Sequence, residues 1–186
     1  ALASSKSVIA RSREIQKEIT ADRYLLGVDR LDYSKGIPER LRGFQRFLQL
    51  NPEHRERVSM MQVVVPSRET VGEYLDLKQE IELLISSING EYSTTRWVPV
   101  HWRYGSVSRE ELAALYRGAD MALVTSLKDG MNLVCKEYCA CKTDARGVLI
   151  LSEFAGAAIQ LAKGALLVNP YDVDAVASAI AEGLSM

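Results

Sequence analysis

The chain has 186 residues, 47% of them apolar and 25% charged, which suits one globular domain with room for a sizeable core. A formal net charge of −1 gives no basic field for nucleic acid or for an acidic membrane surface. No apolar run nears the roughly 20 residues that a membrane span needs, and the opening "ALASSKSVIARSREIQKE" lacks the apolar stretch of a signal peptide.

Residues 4–19 read as an amphipathic helix, with Val8, Ile9, Ile15 and Ile19 on or near one face. The apolar run "RYLLGVD" (23–29) predicts a buried strand. "IPERLRGFQRFLQL" then shows helical spacing at Ile37, Leu41, Phe44, Phe47 and Leu48, with Pro38 in the first turn and "NP" at 51–52 ending it. "VSMMQVVVP" (58–66) predicts a second strand and residues from about Thr70 to Ser87 a long helix. "NGEYSTTRW" reads as a loop.

The alternation continues with a strand at "VPVHW" (98–102) and a helix at "SREELAALYRGA" (108–119). Ser108 with Glu111 three residues on predicts a capping box there. "MALVT" (121–125) is a strand and residues 132–142 a helix that holds all three cysteines, Cys135, Cys139 and Cys141. Without a histidine nearby, their spacing suits packing rather than a metal site, and reduced thiols fit a cytoplasmic protein. "VLILS" (148–152), "EFAGAAIQLA", "ALLVN" (165–169) and "DVDAVASAIAEGL" complete the pattern. Six apolar runs alternating with helices predict a doubly wound, Rossmann-like parallel α/β sheet covered on both faces. The chain opens inside a polar helical pattern and ends on "AIAEGLSM" without a stop signal, as a piece of something longer would.

Sheets of this class bind ligands at the carboxyl ends of their strands, where strand order reverses. Three predicted strand ends carry charge. In "GVDRLDYSKGIPERL", Arg30 and Lys35 precede a helix N-terminus near Gly36, and the three together would clamp a diphosphate. The alternative pairs Arg30 with Asp29 or Asp32 and leaves Lys35 on the surface. In "VVVPSRETVGEY", Arg68 is either an anion site or a surface partner of Glu69 or Glu73. In "LVTSLKDGMNLVCKEY", Gly130 lets backbone approach a ligand, and the N–H groups of Met131, Asn132 and Leu133 point outward at the helix start. Asp129 can accept from sugar hydroxyls or stabilise positive charge, and Glu137 can bind a diol. The plainer reading makes Asp129 a turn former and pairs Glu137 with Lys136 or Lys142.

"GVDRLDYSKGIPERLRGFQRFL", "LVTSLKDGMNLVCKEYCAC" and "GVLILSEFAGAA…LLVNPYD" together resemble the trehalose-6-phosphate synthases, over nearly the whole chain. The resemblance implies residues 1–186 to be the donor-binding, C-terminal half of a twin-Rossmann retaining glycosyltransferase. That family moves glucose from UDP-glucose to glucose 6-phosphate without a metal or other cofactor. It places the diphosphate ligands on Arg30 and Lys35, the acceptor phosphate on Arg68 and the donor-sugar carboxylate on Asp129. Backbone near glucose and diphosphate falls on Gly130, Met131, Asn132, Leu133 and Val134, the ribose carboxylate on Glu137, and uracil near Val107. Ser126, Lys128 and Cys135 depart from the family's usual proline, arginine and small residue without removing a ligand group. The family's N-terminal domain and the helix crossing back to it are expected as partners outside this sequence, and a homo-oligomer is left open. By itself this half is expected to be inactive. Two other readings stand beside it: glucosylglycerol-phosphate synthase, which uses ADP-glucose and glycerol 3-phosphate, and a non-catalytic sugar-nucleotide-binding module.

Overall fold

The computed structural model describes residues 2–67 and 72–186. A 3₁₀ turn at Leu2–Ser4 leads into helix α1 (Lys6–Glu18), whose first turn is capped by the Ser5 hydroxyl accepting from the Val8 N–H. Strand β1 (Arg23–Arg30) follows, then α2 (Ile37–Leu50), β2 (Val58–Val65), α3 (Gly72–Tyr92) and β3 (Val100–Tyr104). The second half runs α4 (Arg109–Gly118), β4 (Met121–Val124), α5 (Leu133–Cys141), β5 (Val148–Ser152), α6 (Ala158–Leu161), β6 (Leu166–Val168) and α7 (Val173–Ser185).

The six strands form one sheet in the order β3-β2-β1-β4-β5-β6, and every neighbouring pair is parallel. Parallel strands need crossovers, and these cover both faces, so every residue from Tyr24 to Asp29 of β1 is buried. One core packs α2, α3 and α7 onto the sheet through Leu25, Phe44, Phe47, Ile81 and Ile180. The opposite core packs α1, α4 and α5 through Ile15, Leu26, Leu115, Tyr116 and Tyr138. Chain order reverses between β1 and β4, so the loops that leave those two strands splay apart and open a crevice at the carboxyl edge.

Four local expectations change. The predicted loop at "NGEYSTTRW" is helical as far as Tyr92, because the Asn89 side chain pins this turn to β3: its amide donates to Val100 O and its Oδ1 accepts from Val100 N, both at 2.9 Å. Strand β3 accordingly starts at Val100, two residues later than predicted. The capping box at Ser108 is half formed. Ser108 Oγ accepts from Glu111 N at 3.2 Å, but the Glu111 carboxylate is drawn away by Arg11 and Arg103. In "EFAGAAIQLA" only Ala158–Leu161 is α-helical, since Gly156 and Ala157 donate their N–H groups to the loop that follows β4.

Candidate functional site

The loop leaving β1 is built from short-range polar chemistry. Asp32 Oδ1 accepts from Ser34 N at 2.9 Å and from Ser34 Oγ at 2.6 Å, which folds residues 33–35 into one 3₁₀ turn. Gly36 then takes φ +63°, and a Cβ there would lie 2.3 Å from the Thr125 carbonyl, so this position admits only glycine without a shift. Asp29 is buried and bonded to the Arg40 guanidinium. Asp29 is therefore held away from Arg30, while Asp32, whose side chain bonds only Ser34 among the described residues, keeps its charge. Burial pushes the Asp32 carboxyl up, but the Ser34 hydrogen bonds and the nearby charges of Lys35 and Arg30 outweigh it and hold the group below the usual carboxylate range. Arg30 itself is exposed at the strand end, with no ion pair among the described residues.

Across the crevice, the loop from Thr125 to Asn132 is stitched to the first. Leu127 N donates to Ser34 O at 2.7 Å, and Lys35 Nζ meets Asp129 Oδ2 at 2.7 Å. Asp129 also accepts from Met131 N at 3.2 Å and from Asn132 Nδ2 at 3.1 Å. Burial pushes the Asp129 carboxyl up, but the Lys35 ammonium and the Met131 N–H outweigh it and hold the group below the usual carboxylate range. Asn132, at φ +72°, caps α5 by accepting from Cys135 N at 3.0 Å. The N–H groups of Leu133 and Val134 in that first turn have no partner among the described residues, which leaves them free to meet an anion. From behind, the segment after β5 clasps this loop through Gly156 N to Asp129 O at 2.8 Å and Ala157 N to Met131 O at 2.9 Å.

The crevice thus joins two cations, the Asp32 and Asp129 carboxylates and a helix N-terminus where strand order reverses. The model of glycosyltransferase family 20 matches residues 1–186. This chain belongs to that family. Among family 20 relatives, the α,α-trehalose-phosphate synthase (UDP-forming) of Candida albicans is 46% identical over 180 residues, covering 97% of this chain and 37% of that protein. A solved Burkholderia xenovorans α,α-trehalose-phosphate synthase in complex with glucose-6-phosphate superposes with a TM-score of 0.95 at 40% identity, over 100% of this chain and 40% of that one. An E. coli trehalose-6-phosphate structure bound with UDP-2-fluoro glucose gives a TM-score of 0.90 at 38% identity, over 97% and 42%. The family 20 chain therefore spans well under half the length of these relatives. The expected doubly wound, Rossmann-like parallel sheet holds, and the chain falls within a glycosyltransferase family.

Lys35 and Asp129 meet directly, where each was expected to serve a separate ligand group. Gly130 has an ordinary φ, and a Cβ there would meet nothing within 4 Å. The tight backbone approach is at Gly156, where a Cβ would lie 2.1 Å from Gly130 O. Met131 and Leu133 are exposed on the lip and Val134 is half-buried. Glu137 lies one turn further along α5 and accepts from the buried Tyr116 hydroxyl at 3.1 Å, not from Lys136 or Lys142. Lys142 donates instead to the carbonyls of Arg117 and Ala119. Val107 is half-buried just ahead of α4, and Arg68 lies outside the described residues. All three cysteines are unpaired. Among the described residues no three His, Cys, Asp or Glu side chains gather to hold a metal, and no helix is long and apolar enough to cross a membrane.

Sequence reasoning missed Arg40, Tyr116 and Thr125. Arg40 left a signal: it stands three residues after Ile37 and four before Phe44, a charge inside the apolar stripe of α2. A tyrosine on a buried helix face likewise needs a partner for its hydroxyl, which Glu137 supplies for Tyr116. Thr125 left none, because its role depends on a contact between loops about 90 residues apart.

Proposed function

We propose that residues 1–186 form the donor-binding part of a trehalose-6-phosphate synthase, which transfers glucose from UDP-glucose to glucose 6-phosphate with retention. The observation that carries this reading is the state of Arg30. Asp29 is committed to the buried Arg40, so Arg30 stands exposed at the carboxyl end of β1 with no ion pair among the described residues, in the same loop as Lys35 and with only the longer-range charge of Asp32 acting on both. A rim of that kind suits a nucleotide diphosphate, whose charge it balances with a planar fork, an ammonium and backbone N–H groups.

In this reading Arg30 and Lys35 take the diphosphate, and the backbone from Gly130 to Val134 lines the glucose and phosphates. Asp129 serves the sugar, where positive charge develops as UDP departs. Glu137, oriented by Tyr116, accepts from the ribose diol, and main chain near Val107 receives uracil. Arg68 meets the acceptor phosphate. The remaining wall of the cleft comes from an N-terminal domain, and the enzyme works in the cytoplasm.

The test is calorimetric titration of the chain with UDP and with ADP. With one wall of the cleft, UDP should bind with a Kd between about 10 μM and 1 mM. The absence of UDP heat at millimolar ligand overturns the assignment, and tighter binding of ADP turns it toward glucosylglycerol-phosphate synthase.

A further inference from the structure

The core between the sheet and α2 is interrupted by one polar compartment directly beneath the crevice. Along this face of β1 the residues are Leu25, Gly27 and Asp29, and β2 brings Gln62 alongside Gly27. Arg40 enters from α2 and is completely buried. Its Nη1 donates to Asp29 Oδ2 and, at 3.1 Å, to Gln62 Oε1. Its Nε donates to Thr125 Oγ1 at 3.0 Å, and its Nη2 reaches the Lys35 carbonyl at 3.4 Å. Gly27 makes the room, since a Cβ there would lie 2.6 Å from Arg40 Nη1 and 2.4 Å from Gln62 Oε1.

A buried ion pair is a poor device for stability, because desolvation offsets most of its attraction and an apolar replacement of equal volume often does as well. A glycine inside a strand is a further cost. What this arrangement does supply is geometry. One rigid fork touches β1, β2, the end of β4 and the turn that carries Lys35, and so fixes the two sides of the crevice relative to each other. The Gly36 backbone against Thr125 O and the Leu127–Ser34 hydrogen bond complete the joint.

We infer that Arg40 is a positioning residue for the diphosphate site: held by Asp29, Gln62 and Thr125, it sets the Lys35 turn so that the ammonium stands in the crevice beside Asp129, without touching ligand itself. This rests on the reading of Lys35 as a diphosphate ligand. A lysine at position 40 keeps a cation for Asp29 but cannot reach Gln62, Thr125 and the Lys35 carbonyl together, so Arg40→Lys removes the fork and keeps the charge.

The experiment is a double-mutant cycle in UDP affinity, measured by calorimetry at a temperature well below the melting point of every variant. Arg40→Lys should weaken UDP about five- to tenfold in the parent chain and less than twofold in a Lys35→Ala background, because its effect passes through Lys35. Should Arg40→Lys not fold, Thr125→Val takes its place. That change removes one acceptor from the fork, with about two- to threefold expected in the parent and none in the Lys35→Ala background. Equal weakening in both backgrounds, or none in either, overturns the positioning role while leaving Lys35 as a ligand. If Lys35→Ala itself leaves UDP affinity unchanged, the diphosphate assignment fails and the positioning role fails with it.

Discussion

The 2.7 Å contact between Lys35 and Asp129 sets two functional groups in competition, and Asp129→Asn measures it. Both side chains are largely buried, at 16% and 14% exposure, so the pair is screened less than a surface ion pair. Exposed pairs contribute about 0.2–1 kcal/mol, and hydrogen bonds to charged groups about 1.5–3 kcal/mol. A value of about 1 kcal/mol is reasonable for this site between those limits. A diphosphate that takes the Lys35 ammonium must offset that contact and approach a carboxylate. Replacing Asp129 by Asn keeps the shape and one acceptor for the Met131 N–H, gives up the bond accepted from Asn132 Nδ2, and frees Lys35. UDP should then bind about fivefold more tightly, since 1.4 kcal/mol corresponds to tenfold. Lys35→Ala should weaken UDP by about tenfold, because the lost charge-assisted contact exceeds the competition it relieves. In a full-length enzyme carrying this chain, Asp129→Asn should nevertheless lower kcat, since the carboxylate acts on charge that develops only in the transition state. Paired calorimetric titrations and one rate assay decide it. If Asp129→Asn weakens UDP tenfold or more with the melting temperature intact, while Lys35→Ala does nothing, the roles are reversed.

Gly36→Ala should lower stability by about 2 kcal/mol or more, a fall of about 4–8 °C in Tm, because the side chain would need φ +63° and would strike the Thr125 carbonyl; thermal melts check this. The Arg11 guanidinium holds the Glu111 carboxyl below its usual range against the opposing pull of burial. The stabilisation it contributes is complete above the unfolded-state pKa, at roughly pH 4–5, and drains as pH falls through the depressed folded value. Glu111→Gln should therefore lower Tm at pH 7 and leave it unchanged near pH 2, and a loss of equal size at both pH values would refute the pair as its source. Tyr116→Phe deletes the hydroxyl that orients Glu137 and should weaken UDP about three- to tenfold. The same change should leave a 2′,3′-dideoxyribose analogue of UDP untouched, and an equal loss for both ligands would place the effect elsewhere.

The sequence by itself determined the sheet, the order of its elements and the charged character of its carboxyl edge. Those are local matters: buried parallel strands read as apolar runs, helix faces repeat every three to four residues, and Pro38 and Ser108 mark helix starts through groups close by. The long motifs around Arg30 and Asp129 were enough to suggest the family. Only the tertiary structure decided how the charges pair. Asp29 has Arg30 beside it in the chain, yet its side chain points into the α2 face of the sheet and meets Arg40, while Arg30 stays on the rim. Lys35 and Asp129 lie 94 residues apart and meet because β1 and β4 are neighbours where the strand order reverses. Pairing of this kind follows from which strands adjoin and which face each side chain takes, and strand adjacency is a property of the folded sheet that no local pattern carries.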